Sequence, residues 1–302
     1  CSGESPRFPY RPIAAVFLLF PFGSSLAGAS EVVGPVFELE PIIVKATRTE
    51  AALSEIPAAV SLVEQSAIQD ASPLFAIDEP LATIPGVFVL NPYNYAQDAR
   101  IAIRGFGARS DFGIRGIRLI VDGIPATLPD GQGGVDGIDL GSAGRIEVIR
   151  GPAASIYGPA SGGVIRIETE SPEGPPFAEL RHTAGSEGLR QSQLKAGAAG
   201  DGWGFLLHAR HFDYDGYRQH SETRNRSLNA KLSYEDASGG ELDAVLNWID
   251  YPTQNDPGGL TAAEVAADRR QARHRNLRFD AGESVRQEKF GLSYRRPLGE
   301  GE

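Results

Sequence analysis

Arg145-Ile146-Glu147-Val148-Ile149-Arg150-Gly151-Pro152 runs through Ala153-Ala154-Ser155-Ile156-Tyr157-Gly158 to Gly162-Gly163-Val164-Ile165-Arg166-Ile167. The two runs rich in β-branched residues predict strands, and the Gly-Pro and Gly-Gly pairs predict turns. Glycine is favoured at such turns because it adopts backbone angles that other residues avoid. The stretch therefore predicts a compact pair of strands joined by a short helical or irregular passage.

Two further strand motifs precede this stretch, Ile101-Ala102-Ile103-Arg104-Gly105-Phe106 and Leu119-Ile120-Val121-Asp122-Gly123-Ile124-Pro125. We interpret residues 50–172 as one α+β domain. Asp78 is expected to cap a short helix with Pro80 in its first turn, where the missing N–H costs nothing. The helix is predicted at 78–84, and strands are predicted at 58–64, 88–90, 101–104, 118–121, 145–150 and 164–168.

The remainder of the chain alternates with a period of two residues. Trp203, Phe205 and Leu207 share one face of a predicted strand, whereas His208 and Arg210 lie on the other. A soluble antiparallel sheet shows the same alternation, but aromatic strand ends and a short turn at 237–240 against a long connection at 251–284 favour a membrane barrel. The predicted strands are 177–184, 190–198, 203–213, 225–235, 240–250 and 285–296, with end aromatics Trp203, Tyr234, Trp248 and Tyr294.

The first 29 residues have the pattern of an export signal. Arg7 and Arg11 form a basic start, residues 13–22 are apolar, and Ala27-Gly28-Ala29 offers small residues for cleavage after Ala29. The alternative, a transmembrane helix, needs about 20 apolar residues. We therefore predict a signal peptide at 1–29.

Composition limits the possible classes of function. The chain has 302 residues and is 41% hydrophobic, which is typical of a folded protein. Its net charge of −10 argues against nucleic-acid binding. Cys1 is the single cysteine, so an internal disulfide is excluded. A chain that starts on cysteine and has no methionine is expected to be part of a longer product.

The strand motifs, with the upstream box Glu40-Pro41-Ile42-Ile43-Val44-Lys45-Ala46-Thr47-Arg48, stand in the order found in TonB-dependent outer-membrane receptors. The chain resembles this family. The resemblance implies a periplasmic tail with a TonB box at 30–49, an α+β plug domain at 50–172 and, at 173–302, the start of a transmembrane antiparallel β-barrel. Such a barrel has about 22 strands, of which about six are expected here. The implied location is the outer membrane of a Gram-negative bacterium.

The family resemblance also implies the roles of individual residues. Arg104 and Arg150 are expected to pair with barrel glutamates and hold the plug, although either arginine at a strand end can also face water. The box is expected to be extended and unpaired and to add as a strand to the energy-transducing protein TonB; the alternative is a disordered linker. Its pairing residues are Glu40, Pro41, Ile42, Ile43, Val44, Lys45, Ala46 and Thr47.

The long loops at 91–100, 105–116 and 126–144 are expected to face outwards and receive substrate. Arginine beside aromatic residues suits an anionic or aromatic chelate, so a ferric siderophore or ferric citrate-like complex is the expected cargo. Cobalamin, another metal complex and a saccharide remain alternatives, and a non-transporting porin or adhesin is a distant one. The candidate substrate residues are Tyr93, Tyr95, Gln97, Arg100, Arg109, Phe112 and Gln132.

Signals of enzyme chemistry are weak. Gly105-Phe106-Gly107 is a partial dinucleotide motif without the third glycine, and neither a Walker sequence nor Gly-x-Ser-x-Gly occurs. His208 and His211 point to opposite strand faces, which makes them poor joint metal ligands. We expect no enzymatic activity, no cofactor and no bound metal, and the expected partners are TonB, the chelate and outer-membrane lipid.

Overall fold

The computed structural model describes residues 42–44, 51–70, 73–90, 93–110, 113–171 and 175–296, all within the unit Pro41–Glu302. The predicted signal peptide lies outside the described residues. Two parts follow one another along the chain, and we call them the plug, up to residue 171, and the wall, from residue 177.

The described residues of the plug form the first eleven strands, three short α-helices and a 3-10 helix at Leu53–Glu55. The strands are β1 (Ile43–Val44), β2 (Ala51–Ala52), β3 (Ala59–Glu64), β4 (Val87–Leu90), β5 (Arg100–Ile103), β6 (Ile114–Arg115), β7 (Ile117–Val121), β8 (Ile124–Pro125), β9 (Gln132–Gly133), β10 (Ala143–Arg150) and β11 (Gly163–Thr169). The helices are α1 (Gln65–Gln69), α2 (Asp78–Leu81) and α3 (Ala154–Tyr157).

The plug is built on a five-stranded sheet in the order β3-β10-β11-β7-β8. The opening sequence motif supplies its centre, because β10 and β11 pair antiparallel as predicted, while β7 joins β11 in parallel. Asp122 and Gly123 connect β7 to β8 with φ of 48° and 77°. This left-handed pair is the two-residue hairpin turn that an Asp-Gly sequence favours.

Apolar residues cover both faces of this sheet. On one face Ile68, Leu81 and Ile103 pack with Ile146 and other fully buried side chains. On the other face a smaller cluster joins Val44, Ile56, Ile120, Ile149, Tyr157 and neighbours. Burial on both sides explains why these strands are continuous in β-branched residues rather than alternating.

Three local predictions in the plug are wrong. The helix α2 ends at Leu81 rather than 84, and Asp78 is its first residue and does not cap it. Glu79 instead accepts hydrogen bonds from the backbone N–H groups of Leu74, Phe75 and Ala76, so the preceding turn is stabilised. Arg104, predicted as the end of a strand, follows β5 with φ of 49° because the chain turns there.

The wall is one antiparallel sheet in sequential strand order. Its strands are β12 (Phe177–Ala184), β13 (Arg190–Gly200), β14 (Trp203–Tyr214), β15 (Thr223–Glu235), β16 (Glu241–Asn255) and β17 (Gly282–Arg295). The predicted strands and their alternation are confirmed, although β16 extends five residues past the predicted end at 250.

The outward face of the wall is apolar. Leu232, Phe290 and Leu292 are 51%, 72% and 62% exposed, as expected of side chains that contact lipid. Trp203 pairs directly with Tyr234 beside the short turns, which confirms aromatic residues at that end. The prediction of Trp248 at a strand end is wrong, because the extension of β16 leaves it in the middle of the strand.

Connections at the two ends of the wall differ in length, as predicted. Residues 201–202 and 236–240 close one end, which also receives the chain from the plug. The other end carries 185–189, 215–222 and 256–281, and the last contains helices α4 (Ala262–Ala267) and α5 (His274–Arg278). We call the ends inner and outer. None of the described helices combines the length and apolar character needed to cross a bilayer.

Arg218 fixes the longest outer connection to its neighbour. Its guanidinium donates to the carbonyl oxygens of Pro257, Gly258 and Gln271 at 2.7–3.1 Å. A capping box in which Thr261 and Glu264 bond each other's backbone N–H starts α4. These bonds give the connection a defined structure.

Candidate functional site

Basic side chains on the face of the wall that contacts the plug lie close to carboxylates of the plug. Lys195 Nζ lies 2.9 Å from Glu170 Oε1 and donates to Gln69 Oε1 at 2.7 Å. Lys231 Nζ lies 3.9 Å from Asp122 Oδ1 and donates to the carbonyl of Thr169. Both lysine side chains are about 10% exposed. Buried ion pairs therefore hold the plug against the wall. Removal of either partner would leave the other charge buried and uncompensated, which is costly.

The most deeply buried of these contacts joins Asp139 to His208. His208 Nδ1 lies 2.8 Å from Asp139 Oδ2, and its side chain is 2% exposed. Burial tends to raise the pKa of Asp139, but His208 and the hydroxyl of Ser142 outweigh it and hold the pKa below its usual value. Gly141 makes the approach possible, since a Cβ there would stand 2.2 Å from the imidazole Cε1.

A cavity opens between plug and wall towards the outer end, and we call it the outer cavity. It is lined by plug residues within 74–99 and 135–141 and by Gln193, Arg210, Asn225, Tyr251 and Gln254 of the wall. Gln193 and Gln254 are 5% and 2% exposed. Gln193 Nε2, Arg210 Nη2 and Gln254 Oε1 have no hydrogen-bond partner among the described residues. Buried polar atoms normally find partners in protein groups, water or a bound molecule, so these three atoms can each take a further hydrogen bond.

Two predicted substrate residues, Tyr95 and Gln97, line the outer cavity. Tyr95 packs its ring against Phe212 at 5.7 Å and Tyr214 at 6.3 Å. Gln97 Nε2 donates to Asp256 of the long outer connection at 3.1 Å. Loop 93–99 of the plug is thus fixed between the wall and an outer connection.

Two carboxyl groups that line the outer cavity, those of Asp136 and Asp78, have raised pKa values. Burial, and then the neighbouring Asp98 carboxylate, raises the pKa of Asp136 to about 6 against the opposing effect of Lys289. Burial and the adjacent Glu79 raise the pKa of Asp78 as well. Burial raises the pKa of Tyr95, so its hydroxyl stays protonated. The outer cavity therefore combines the guanidinium of Arg210, carboxyl groups of shifted pKa and the neutral phenol of Tyr95 as hydrogen-bonding groups.

The other predicted substrate residues do not line the outer cavity. Tyr93 is 83% exposed, and Arg109 is also exposed. Arg100 Nη1 donates to the carbonyl of Ser110, and Gln132 Oε1 accepts from Arg115. Phe112 lies outside the described residues. The structure thus brings two of the seven together in the cavity, whereas Tyr93, Arg100, Arg109 and Gln132 lie elsewhere in the described part of the plug.

Arg104 and Arg150 meet at one turn. Arg150 Nη1 donates to the carbonyl of Pro85 at 2.8 Å, and Arg104 N–H donates to that of Gly86 at 2.9 Å. Neither arginine forms a salt bridge with the described residues, so their pairing with barrel glutamates stays a prediction. In the ion pairs between plug and wall the roles are reversed: the acidic residue is on the plug and the basic residue is on the wall.

The middle of the predicted TonB box, residues 42–44, is paired, contrary to the expectation of an unpaired strand. β1 pairs antiparallel with β2, and Arg145 Nη1 donates to the carbonyl of Ile43 at 3.3 Å. Ile42 and Ile43 are 48% and 40% exposed, whereas Val44 is fully buried in the smaller core cluster. Glu40, Pro41, Lys45, Ala46 and Thr47 lie outside the described residues.

The sequence contained a usable signal for the plug–wall contacts. Lys195, His208 and Lys231 are polar residues on strand faces that oppose the lipid-facing residues, and such positions in a barrel face the lumen. Their partners on the plug could not be inferred, because they depend on how far the plug is inserted.

Comparison with known proteins identifies the plug. Residues 52–164 match the family model described as TonB-dependent Receptor Plug Domain. This stretch is therefore a TonB-dependent receptor plug domain, and the relatives and solved structures similar to the chain are TonB-dependent outer-membrane receptors. A receptor of this family is an outer-membrane protein of a Gram-negative bacterium, and its relatives are transporters and receptors rather than enzymes.

The similarity of the chain to curated relatives extends beyond the plug. The vitamin B12 transporter BtuB of Vibrio vulnificus is 26% identical over 229 residues, covering 72% of the chain and 36% of the relative. The ferrioxamine receptor of Yersinia enterocolitica is 26% identical over 227 residues, covering 74% and 30%. The chain thus spans about a third of the length of these relatives.

Solved structures share the fold. The copper transporter OprC superposes with a TM-score of 0.58 at 18% identity, covering 78% of the chain and 35% of that protein. The unliganded ferric citrate transporter FecA gives 0.57 at 24% identity, covering 72% and 34%. At these identities the likeness establishes the plug-and-barrel architecture and not the substrate.

Proposed function

We propose that the receptor binds a scarce substrate at its outer face and imports it with energy supplied by TonB. The expected substrate is a ferric chelate, either a siderophore complex or one similar to ferric citrate. Residues 1–29 act as the export signal in this proposal, and residues 40–47 form the segment that TonB engages.

The observation that carries the proposal is the set of unpartnered polar atoms in the outer cavity. Leaving a buried donor or acceptor unsatisfied costs about 1–3 kcal/mol. Gln193 Nε2, Arg210 Nη2 and Gln254 Oε1 therefore favour a ligand that supplies both donors and acceptors. An oxygen-rich chelate provides both, and the rings of Tyr95 and Tyr251 offer it apolar surface.

The coupling segment supports the energised step. An extended segment with exposed Ile42 and Ile43 suits strand addition to a partner sheet. Because β1 is already paired with β2, engagement by TonB exchanges or extends an existing strand pair. Arg104 and Arg150 hold the plug through glutamates elsewhere in the barrel in this proposal.

Cobalamin uptake is the second candidate. It is favoured by the names of two relatives, the vitamin B12 transporters of Vibrio vulnificus and Photobacterium profundum, at 26% and 32% identity. Cobalamin also presents amide donors and acceptors, which match the chemistry of the outer cavity.

The test uses a receptor-deficient strain that expresses the receptor with its whole barrel. Uptake of radiolabelled iron, supplied as hydroxamate, catecholate and citrate chelates, is compared with uptake of labelled cyanocobalamin. Gln193→Leu together with Gln254→Leu removes two cavity contacts and is expected to weaken binding at least tenfold. Gln219→Leu, on an exposed outer loop, is the control and should bind as the unaltered receptor does.

Failure to transport any chelate or cobalamin would contradict the import proposal. Equal binding by the cavity variant and its control would remove the outer cavity from the substrate site. Ile43→Pro tests the coupling separately: surface binding should persist while uptake collapses, since proline removes a backbone donor from the strand. Uptake at the unaltered rate would exclude residues 40–47 as the coupling segment.

A further inference from the structure

The outward face of the wall changes character towards its outer end. The strand register places Leu194, Ala209, Leu228 and Trp248 in one continuous row across four strands. Every outward row between this one and the inner end is dominated by apolar side chains. The next row towards the outer end contains Ser192, His211, Arg226, Asp250 and Arg286. The lipid-facing belt therefore ends sharply at a row of polar and charged residues.

Three arginines at this boundary form a surface that we call the basic row: Arg190, Arg224 and Arg226. Arg190 and Arg224 flank Asp213 from the two neighbouring strands, so their backbones are about 10 Å apart. Arg224 and Arg226 lie two residues apart on one face, which is about 7 Å. All three are exposed. Their guanidinium groups can therefore converge on one anionic headgroup.

The acidic residues nearby are already engaged. Asp213 Oδ2 lies 2.9 Å from His211 Nε2, and Asp250 Oδ1 lies 3.1 Å from Arg286 Nη2. The basic row forms no salt bridge with the described residues. It thus leaves an excess of positive charge on the membrane-facing surface of a chain whose net charge is −10.

The inner end has the opposite charge. Glu235, Asp236 and Glu241 surround its short turn, where Glu241 is paired with Arg295. The basic row is therefore specific to the outer end of the wall.

We propose that the basic row binds the phosphate groups of a phosphorylated glycolipid in the outer leaflet of the membrane. Arginine recognises phosphate through paired, charge-assisted hydrogen bonds. The apolar belt directly below the row would contact acyl chains, so the ligand carries a phosphate and a lipid tail. An unpaired arginine beside the hydrocarbon region is costly, and a lipid phosphate provides the missing partner. This proposal does not depend on the identity of the imported substrate.

The experiment uses the receptor with its whole barrel, purified in detergent. The probes are diphosphorylated lipid A, the same lipid after removal of both phosphates, and inorganic phosphate. Binding is measured by native mass spectrometry and by titration in mixed micelles. The test variant is R190Q/R224Q/R226Q. The matched control is R269Q/R273Q/R278Q, which removes three exposed arginines from the long outer connection and changes the net charge equally.

The unaltered receptor is expected to bind diphosphorylated lipid A at least tenfold more tightly than the dephosphorylated lipid. The test variant should lose this preference while the control variant keeps it. Circular dichroism and heat-dependent electrophoretic mobility confirm that each barrel is folded. Equal binding of the two lipids, retention by the folded test variant, or an equal loss in the control would overturn the proposal. Displacement of lipid A by equimolar inorganic phosphate would refute the lipid as the ligand.

Discussion

Val44→Ala should loosen β1, in the proposed coupling segment, from the plug without unfolding the plug. Val44 is fully buried among Ile56, Ile120 and Ile149, whereas its neighbour Ile43 points outwards and is 40% exposed. Val44 is therefore the described side chain of β1 that contributes most burial to the docked state. Shortening that side chain should shift the equilibrium between docked and released segment.

The size of the shift follows from the burial of Val44. The substitution removes two buried methyl groups, each contributing about 0.8 kcal/mol. The cavity left behind adds a smaller cost, so the docked state should lose about 2 kcal/mol. The population of the released segment should therefore rise about 30-fold. Ile43→Ala, at an exposed position, should change the equilibrium by less than about 0.5 kcal/mol.

Hydrogen–deuterium exchange of the receptor, read by mass spectrometry on a peptide covering residues 42–53, measures this equilibrium. Exchange in that peptide should accelerate about 30-fold in Val44→Ala, since exchange there reports local opening. Peptides from β10 and β11 should exchange at unchanged rates. If Val44→Ala and Ile43→Ala exchanged equally fast, burial of Val44 would not be what docks the segment.

Three further predictions concern the contacts of the plug. Lys195→Met should lower the unfolding free energy in urea by about 3 kcal/mol, because Glu170 loses its ion pair; strict additivity with Glu170→Gln would contradict the coupling. The pKa of Asp136 is raised from 3.8 to about 6, so its stabilising contribution is complete below pH 3.8 and lost as pH rises through 6. Asp136→Asn should reduce the dependence of the thermal unfolding midpoint on pH between 3.8 and 6. A pH dependence equal to that of the unaltered receptor would refute this. Gly141→Ala should displace His208 and increase proteolysis of the plug; unaltered proteolysis would show that the contact tolerates a Cβ.

The strands of the wall could be predicted because each buries one face and exposes the other to lipid. Phe205, Leu207 and Leu232 give this alternation directly, and the structure confirms the pairing that it implies. The centre of the plug sheet was equally accessible, since β10 and β11 are long apolar runs separated by glycine turns. Both predictions rest on a pattern within one segment: alternation in the wall, and continuous apolar runs between glycine turns in the plug.

Features that depend on distant segments could not be predicted. β1 pairs with Ala51–Ala52, and two alanines carry no strand signal of their own. The contact of Lys195 with Glu170 depends on the depth of the plug in the wall. The capping box from Thr261 to Glu264, which starts α4, depends on local sequence instead, because its spacing is visible in the sequence.

The polarity of the contacts between plug and wall restricts how receptors of this kind can be recombined. The acid of each pair, Asp122, Asp139 or Glu170, is on the plug, and the base is on β13, β14 or β15. A chimera that joined this plug to a foreign barrel would leave three buried carboxylates without counterions unless that barrel had bases in the same rows. Plug and early barrel strands are therefore expected to be exchangeable only as a single cassette.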